Sequence, residues 1–224
     1  MPPMFPSPAD AAPSHRTFDA VLWDFGGVIL SSPFDAFSRY EREHGLPVDF
    51  IRTVNATDPH TNAWARLERS DITAVEFDEV FAAEAEQLGH RVPGRDVLAL
   101  LSGDVRPDMV AALDRVREAG YRTACLTNNM SGEHKSAERG DTIAAIMARF
   151  DAIVESSKVG VRKPEPRFYE IACELLDVQP DRCVFLDDLG INLKPAAAMG
   201  MHTIKVLGSE QARTDLGAVL HLDL

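Results

Sequence analysis

Short apolar runs that stop abruptly at a polar residue alternate along this chain with stretches whose apolar positions recur every three or four residues. Ala20 to Trp23 is the first such run, ending at Asp24 and a Gly pair, and it predicts a buried strand that opens into a loop. Similar runs occur at YRTACLTNN, FDAIVES, RCVFLDD and HTIKV. Between them, PDMVAALDRVREAG places Met109, Ala112, Leu113 and Val116 on one helical face, with Gly120 where a helix end favours positive φ. PRFYEIACELLDV repeats the spacing with Phe168, Ile171, Ala172 and Leu175, opened by Pro166, and NLKPAAAMG is a shorter helix candidate closing at Gly200.

This alternation predicts an α/β fold: a doubly wound, mostly parallel sheet covered on both faces, with ligands at the carboxyl ends of the strands. Residues 33–103 read differently, as helices without convincing strands. FDAFSRYEREHG is one candidate; TAVEFDEVFAAEAEQLG is another, with Thr73 and Glu76 at capping-box spacing and Gly89 as terminator. A helical insert directly after the first strand is expected to form a small cap over the pocket. The expected organisation is therefore a disordered tail over 1–16, rich in Pro, Ala and Ser, a core from 17–32 and 104–224, and a helical cap over 33–103.

Composition narrows the function. Lys and Arg total 23 against 35 Asp and Glu, so the field repels polyanions and nucleic acid is not an expected partner. No apolar run approaches the roughly 18 residues of a membrane span. The N-terminal MPPMFPSPADAAPSHR lacks the charged-then-apolar order of a secretory signal. Cys125, Cys173 and Cys183 form no CxxC pair and are odd in number, which reads as reduced core thiols in a cytoplasmic protein. Monomer and homodimer both stay open.

Four segments place polar groups at strand ends: Asp24, Thr127-Asn128, Lys163 and Asp187-Asp188. Singly, each has an ordinary explanation, such as a loop cap, turn chemistry or a solvated charge. The adjacent carboxylates Asp187 and Asp188 are harder to dismiss, because they repel unless a cation or water lies between them. With Asp24 they would supply the hard oxygen ligands that magnesium prefers. Trp23 alternates away from Asp24 and is expected in the core, and Trp64 is expected to pack within the insert. The histidines show no metal spacing.

These segments give the chain a resemblance to a family. DFGGV resembles the first motif of the haloacid dehalogenase-like superfamily, LTN its second, VGVRKPEPRFY its third and FLDDLGINLKPAAAMGM its fourth, spanning about residues 18–208. The last two are especially similar to the N-terminal phosphatase domain of soluble epoxide hydrolases and its bacterial relatives. The resemblance implies a magnesium-dependent hydrolase of a small phosphorylated metabolite. Asp24 would be nucleophile and metal ligand; Thr127 and Asn128 would donate to phosphoryl oxygens, and Lys163 would neutralise nucleophile and phosphoryl group. Asp188 would bind Mg2+ directly, Asp187 would bind it or hold its water, and Asn192 would orient that carboxylate or its loop.

One position departs from the family pattern. The usual first motif is Asp-x-Asp, whose second Asp serves as general acid and base; here Gly26 offers only a carbonyl, which could still ligate the metal. General acid-base assistance is worth about 10² to 10⁴ in rate. The departure keeps two alternatives open: metal-free haloacid dehalogenation on the same aspartate, and a non-catalytic phosphate-binding protein. A cysteine phosphatase fails, because Ser131, Gln179 and Leu189 stand six positions after the three cysteines, where Arg would be needed. Phosphate-loop, dinucleotide and serine-hydrolase signatures are absent too.

Overall fold

The computed structural model describes residues 16–101, 103–128 and 137–224. Five parallel strands form one sheet: β1 (Ala20–Trp23), β2 (Arg122–Thr127), β3 (Ala152–Glu155), β4 (Cys183–Asp187) and β5 (His202–Lys205), in the order β3-β2-β1-β4-β5. The chain steps outward from β1 through β2 to β3, then returns to the other side of β1 for β4 and β5. The order therefore reverses between β1 and β4, the crevice where open α/β sheets take up ligands. Trp23 is in register with Cys125 on one side and Leu186 on the other, so Asp24 leaves the sheet level with the end of β4.

Both faces of the sheet are buried, as a parallel sheet requires. Val21, Trp23, Cys125, Val184 and Leu186 point to a core shared with helices α6 (Pro107–Glu118) and α11 (Ser209–Leu220). Ala20, Leu22, Ala124, Leu126 and Phe185 point to the opposite core, shared with α9 (Pro166–Leu176) and α10 (Gly190–Ala198). Alternate side chains of one strand thus serve different layers, and Trp23 lies in the core, away from the site. The three cysteines are free and buried.

Between Phe34 and Ala99 the chain forms five helices: α1 (Phe34–Glu43), α2 (Phe50–Ala56), α3 (Ala63–Glu68), α4 (Ala74–Gln87) and α5 (Gly94–Ala99). They have an apolar core of their own around Phe50, Leu67, Phe77, Phe81 and Val97, with the Trp64 ring 5.6 Å from that of Phe77. Burial of each such phenylalanine contributes about 1.5–3 kcal/mol. Thr73 opens α4 with the expected reciprocal cap, its hydroxyl accepting from Glu76 N at 3.2 Å and its own N–H donating to the Glu76 carboxylate at 2.8 Å. The two strands of chain entering and leaving this segment are stitched together: Ser31 N donates to Asp104 O (2.8 Å), Asp104 N to Ser31 Oγ (2.9 Å) and Arg106 N to Ile29 O (2.9 Å).

Three expectations are revised. The short helices α2, α3 and α5 lack enough turns to show a periodicity, and α11 adds a helix beyond those the spacing predicts. In α9 the buried face is Phe168, Tyr169, Ala172, Cys173 and Leu176, whereas Leu175 is largely exposed; the helix is rotated by about a residue from the face expected, because Tyr169 finds a polar partner inside. Residues 1–15 of the expected tail lie outside the described residues, but Arg16 is tied to the core, its guanidinium donating to Ala119 O at 2.6 Å and lying 4.7 Å over the Tyr121 ring.

Candidate active site

Asp24 is placed by the sheet and by the turn that follows. Its N–H donates to Leu186 O at 2.9 Å, continuing the β1–β4 ladder one step past the strand. Its carboxylate Oδ1 accepts from Phe25 N at 2.6 Å, which caps the turn over Phe25–Ile29. Within that turn Gly26 has φ −70° and ψ 134°, ordinary extended backbone, whereas Gly27 has φ 75°. Gly27 is required for a second reason: a Cβ there would lie 2.2 Å from Asp188 Oδ2. The Arg106 guanidinium fixes the turn from behind by donating to Gly27 O at 2.8 Å.

Lys163 is the centre of the charge arrangement. Its side chain is 1% exposed, and Nζ lies 2.8 Å from Asp24 Oδ1 and 2.8 Å from Asp187 Oδ2. Burial works against its charged form, but Asp187 and Asp24 on either side overcome that and raise its pKa, so it is held as an ammonium. The backbone of Lys163 is clamped by the Asn128 side chain, which accepts from Lys163 N at 2.9 Å and donates to Lys163 O at 2.9 Å.

The two acidic residues after β4 are not equivalent. Asp187 is fully buried, and its oxygens accept from Leu189 N (2.8 Å), Lys163 Nζ (2.8 Å) and Asn192 Nδ2 (3.0 and 3.1 Å). Its acceptor capacity is thus largely committed to protein donors. Asn192 Nδ2 reaches both oxygens of that carboxylate, and the buried Tyr169 hydroxyl in turn donates to Asn192 O at 2.6 Å. Asp188 is more open, with Ser32 Oγ donating to its Oδ2 at 3.3 Å. Burial, reinforced by the neighbouring Asp187, raises the Asp188 pKa to about 6.

One ligand oxygen from each of Asp24, Asp187 and Asp188 lies within 4.8 Å of the others. Three carboxylates thus meet one ammonium. Burial, with Asp187 and Asp188 adding to it, raises the Asp24 pKa well above the usual carboxylate range despite the opposing Lys163. Such a cluster fits a hard divalent cation, which would relieve the repulsion that these shifts express.

Thr127, buried at the end of β2, and Asn128 stand at the same sheet edge. Asn128 differs from expectation, because its side-chain amide is used on the Lys163 backbone and on Glu68 Oε2 at 3.4 Å. Gly26 is exposed, with nothing within 4 Å of where a Cβ would stand. Ser32, Arg106, Tyr169 and Glu68 were not singled out in the sequence. Only the hydroxyl-rich SSP after β1 carried even a weak signal for one of them.

The family description haloacid dehalogenase-like hydrolase matches residues 18–200. The chain belongs to the haloacid dehalogenase-like hydrolases. It is 31% identical over 212 residues to mouse bifunctional epoxide hydrolase 2, a match covering 88% of this chain and 38% of that protein. It is 29% identical over 219 residues to a phosphatase of Mycobacterium tuberculosis, covering 91% of this chain and 97% of that one. The chain spans between 20% and 39% of the length of the larger mammalian relatives it matches. In fold it resembles a solved family enzyme of Bacteroides thetaiotaomicron, in complex with magnesium and inorganic phosphate, with TM-score 0.55, 19% identity and coverage of 84% and 93% of the two chains. The fold and the hydrolase class expected from the motifs are thereby established for this family member.

Proposed function

We propose that this hydrolase is a magnesium-dependent phosphatase of a small phosphate monoester, with Asp24 as the nucleophile that is transiently phosphorylated. The observation that carries the reading is the gathering of Asp24, Asp187 and Asp188 around the ammonium of Lys163. Metal-free dehalogenation of a carboxylate substrate has no use for the extra negative charge, whereas a phosphatase does. Asp24, Asp188 and the Gly26 carbonyl would hold Mg2+, with Asp187 behind them. When bound, the ion would offset the repulsion between a carboxylate and a phosphate dianion.

The chain's own residues supply the rest. An Asp24 oxygen bonds to phosphorus as the bond from phosphorus to the leaving oxygen breaks, and water then hydrolyses the aspartyl phosphate. Lys163 faces the nucleophile and neutralises charge on the transferring group, while the Thr127 hydroxyl and the main-chain N–H of Asn128 take its equatorial oxygens. Helices α1 to α5 act as the cap, excluding bulk water and selecting the leaving group. Because Gly26 has no proton to give, substrates whose leaving group tolerates negative charge turn over best.

The excess of acidic residues repels a polyanion such as nucleic acid, and the substrate is instead a small phosphorylated metabolite. Among the described residues no helix is long and apolar enough to cross a membrane. Hydrolysis of p-nitrophenyl phosphate, titrated with Mg2+, tests the reading. Activity should appear with the ion, vanish with a chelator and be lost in Asp24→Asn. Chelator-insensitive release of halide from a 2-haloacid would overturn it in favour of dehalogenation, and the absence of turnover across a broad panel of phosphate esters would leave a binding protein.

A further inference from the structure

The last residue of α3 and the one after it grip the loop that carries Lys163. Glu68 is buried, and its carboxylate forms an ion pair with the Arg162 guanidinium and meets Asn128 Nδ2 at 3.4 Å. Next to it, Arg69 Nε and a terminal nitrogen donate to Glu165 Oε1 at 3.1 and 2.6 Å. The two guanidiniums also converge on one loop of the helical segment: Arg162 donates to Pro59 O at 2.9 Å and Arg69 to His60 O at 3.0 Å.

The pairs run in opposite senses. An anion of the helical segment takes a cation of the sheet domain, and the adjacent cation takes an anion. Their partners stand one residue before and two residues after Lys163. We infer that Glu68 and Arg69 are positioning residues that register Lys163 against Asp24 and Asp187, making its placement depend on how helices α1 to α5 dock on the sheet.

The inference rests on the reading that Lys163 neutralises the transferring phosphoryl group. A lysine has four flexible carbons, so its Nζ is located only as well as its backbone is held. Asn128 clamps that backbone from the β2 side, and Glu68 touches both Asn128 and Arg162, so the clamp and the latch are one contiguous set of contacts. Ion pairs on open surface are worth little. These are different, with Glu68 and Arg162 side chains 6% and 11% exposed, and those of Arg69 and Glu165 18% and 31%.

Charge reversal tests the latch on the full chain, using the less buried pair so that folding survives. Arg69→Glu and Glu165→Arg should each lower kcat towards p-nitrophenyl phosphate by about 10²-fold, the order expected for ångström-scale misplacement. Each should also speed acylation of Lys163 by an amine-reactive reagent, read by peptide mass spectrometry, and the double reversal should restore both. Glu68→Gln should lower kcat without changing the shape of its pH profile. Wild-type kcat and labelling in Arg69→Glu, failure of the double reversal to rescue either readout, or loss of one limb of the pH profile in Glu68→Gln would each overturn the inference. If the wild type hydrolyses no phosphate ester, the phosphatase reading falls, while the labelling comparison still decides the latch.

Discussion

Replacing Gly26 by Asp asks whether the missing proton carrier limits this enzyme. The backbone at Gly26 has φ −70° and ψ 134°, which any L-residue adopts, and a Cβ added there meets nothing within 4 Å. The substitution therefore enters without steric strain, and a non-glycine residue at a compatible position stiffens the unfolded chain by about 0.4–1 kcal/mol in favour of folding. The new carboxyl would stand two residues beyond Asp24 on the open side of the turn, free to give and take a proton as a general acid and base.

General acid-base catalysis is worth about 10² to 10⁴ in rate when the leaving group needs a proton. An alkyl phosphate has such a leaving group; p-nitrophenyl phosphate has little need of one. Steady-state kinetics on both substrates, at saturating Mg2+, should therefore show Gly26→Asp raising kcat/KM on the alkyl ester by about 10²-fold or more and changing the aryl ester far less. Thermal unfolding of the variant checks that it is folded. An unchanged alkyl rate in a folded variant, or equal gains on both esters, would refute the reasoning and show that protonation is supplied elsewhere.

Gly27→Ala should do the reverse: a methyl 2.2 Å from Asp188 Oδ2, at φ 75°, displaces that carboxylate. Calorimetric titration should show weakened Mg2+ binding, and urea unfolding should show a loss of about 1–3 kcal/mol. Lys163→Met removes the cation between Asp24 and Asp187; breaking a buried pair costs about 3–5 kcal/mol, measurable by urea denaturation, and phosphatase activity should disappear with it. The pH dependence has a defined sign. Asp188 has its folded pKa raised to about 6, so its contribution to stability is present below about pH 4 and is lost as pH rises through 6, on the order of 3 kcal/mol. Added Mg2+ should accordingly raise Tm little at pH 4.5 and much more at pH 7; a shift independent of pH would sink this account. Tyr169→Phe leaves Asn192 O without its buried donor and should cost about 1–3 kcal/mol in urea unfolding.

The alternation of buried runs and helical faces was readable because each strand and each long helix carries its own periodicity, independent of its neighbours. So were Asp24, Asp187 and Asp188: strand ends are where a parallel sheet offers its crevice, and polar residues directly after apolar runs mark those ends, whereas Lys163 lies well past the end of β3 and was marked by the resemblance of VGVRKPEPRFY to the family's third motif. Asn192 was anticipated through the resemblance of FLDDLGINLKPAAAMGM to the family's fourth motif. The side-chain job of Asn128 could not, since the partner that captures it, the Lys163 backbone, is 35 residues away and only the fold brings the two together. The rotation of α9 was hidden for a similar reason. Spacing alone allows Leu175 or Leu176 to face inward, and the choice falls to the tertiary contact that draws the Tyr169 hydroxyl towards Asn192 O.

Glu68 shows the limit most plainly. In sequence it is an acidic residue at the end of a six-residue helix, flanked by Arg66 and Arg69, and reads as a solvated helix end. In the folded chain it is buried against Arg162 because α3 is pressed onto the loop before α9. Burial raises its pKa against the opposing pull of Arg162, so the docking that positions Lys163 is itself made at an electrostatic cost, offset only while both ion pairs hold. A helical segment secured by such pairs is sensitive to the loss of either partner. That sensitivity links the segment to the lysine on which a phosphoryl transfer would depend.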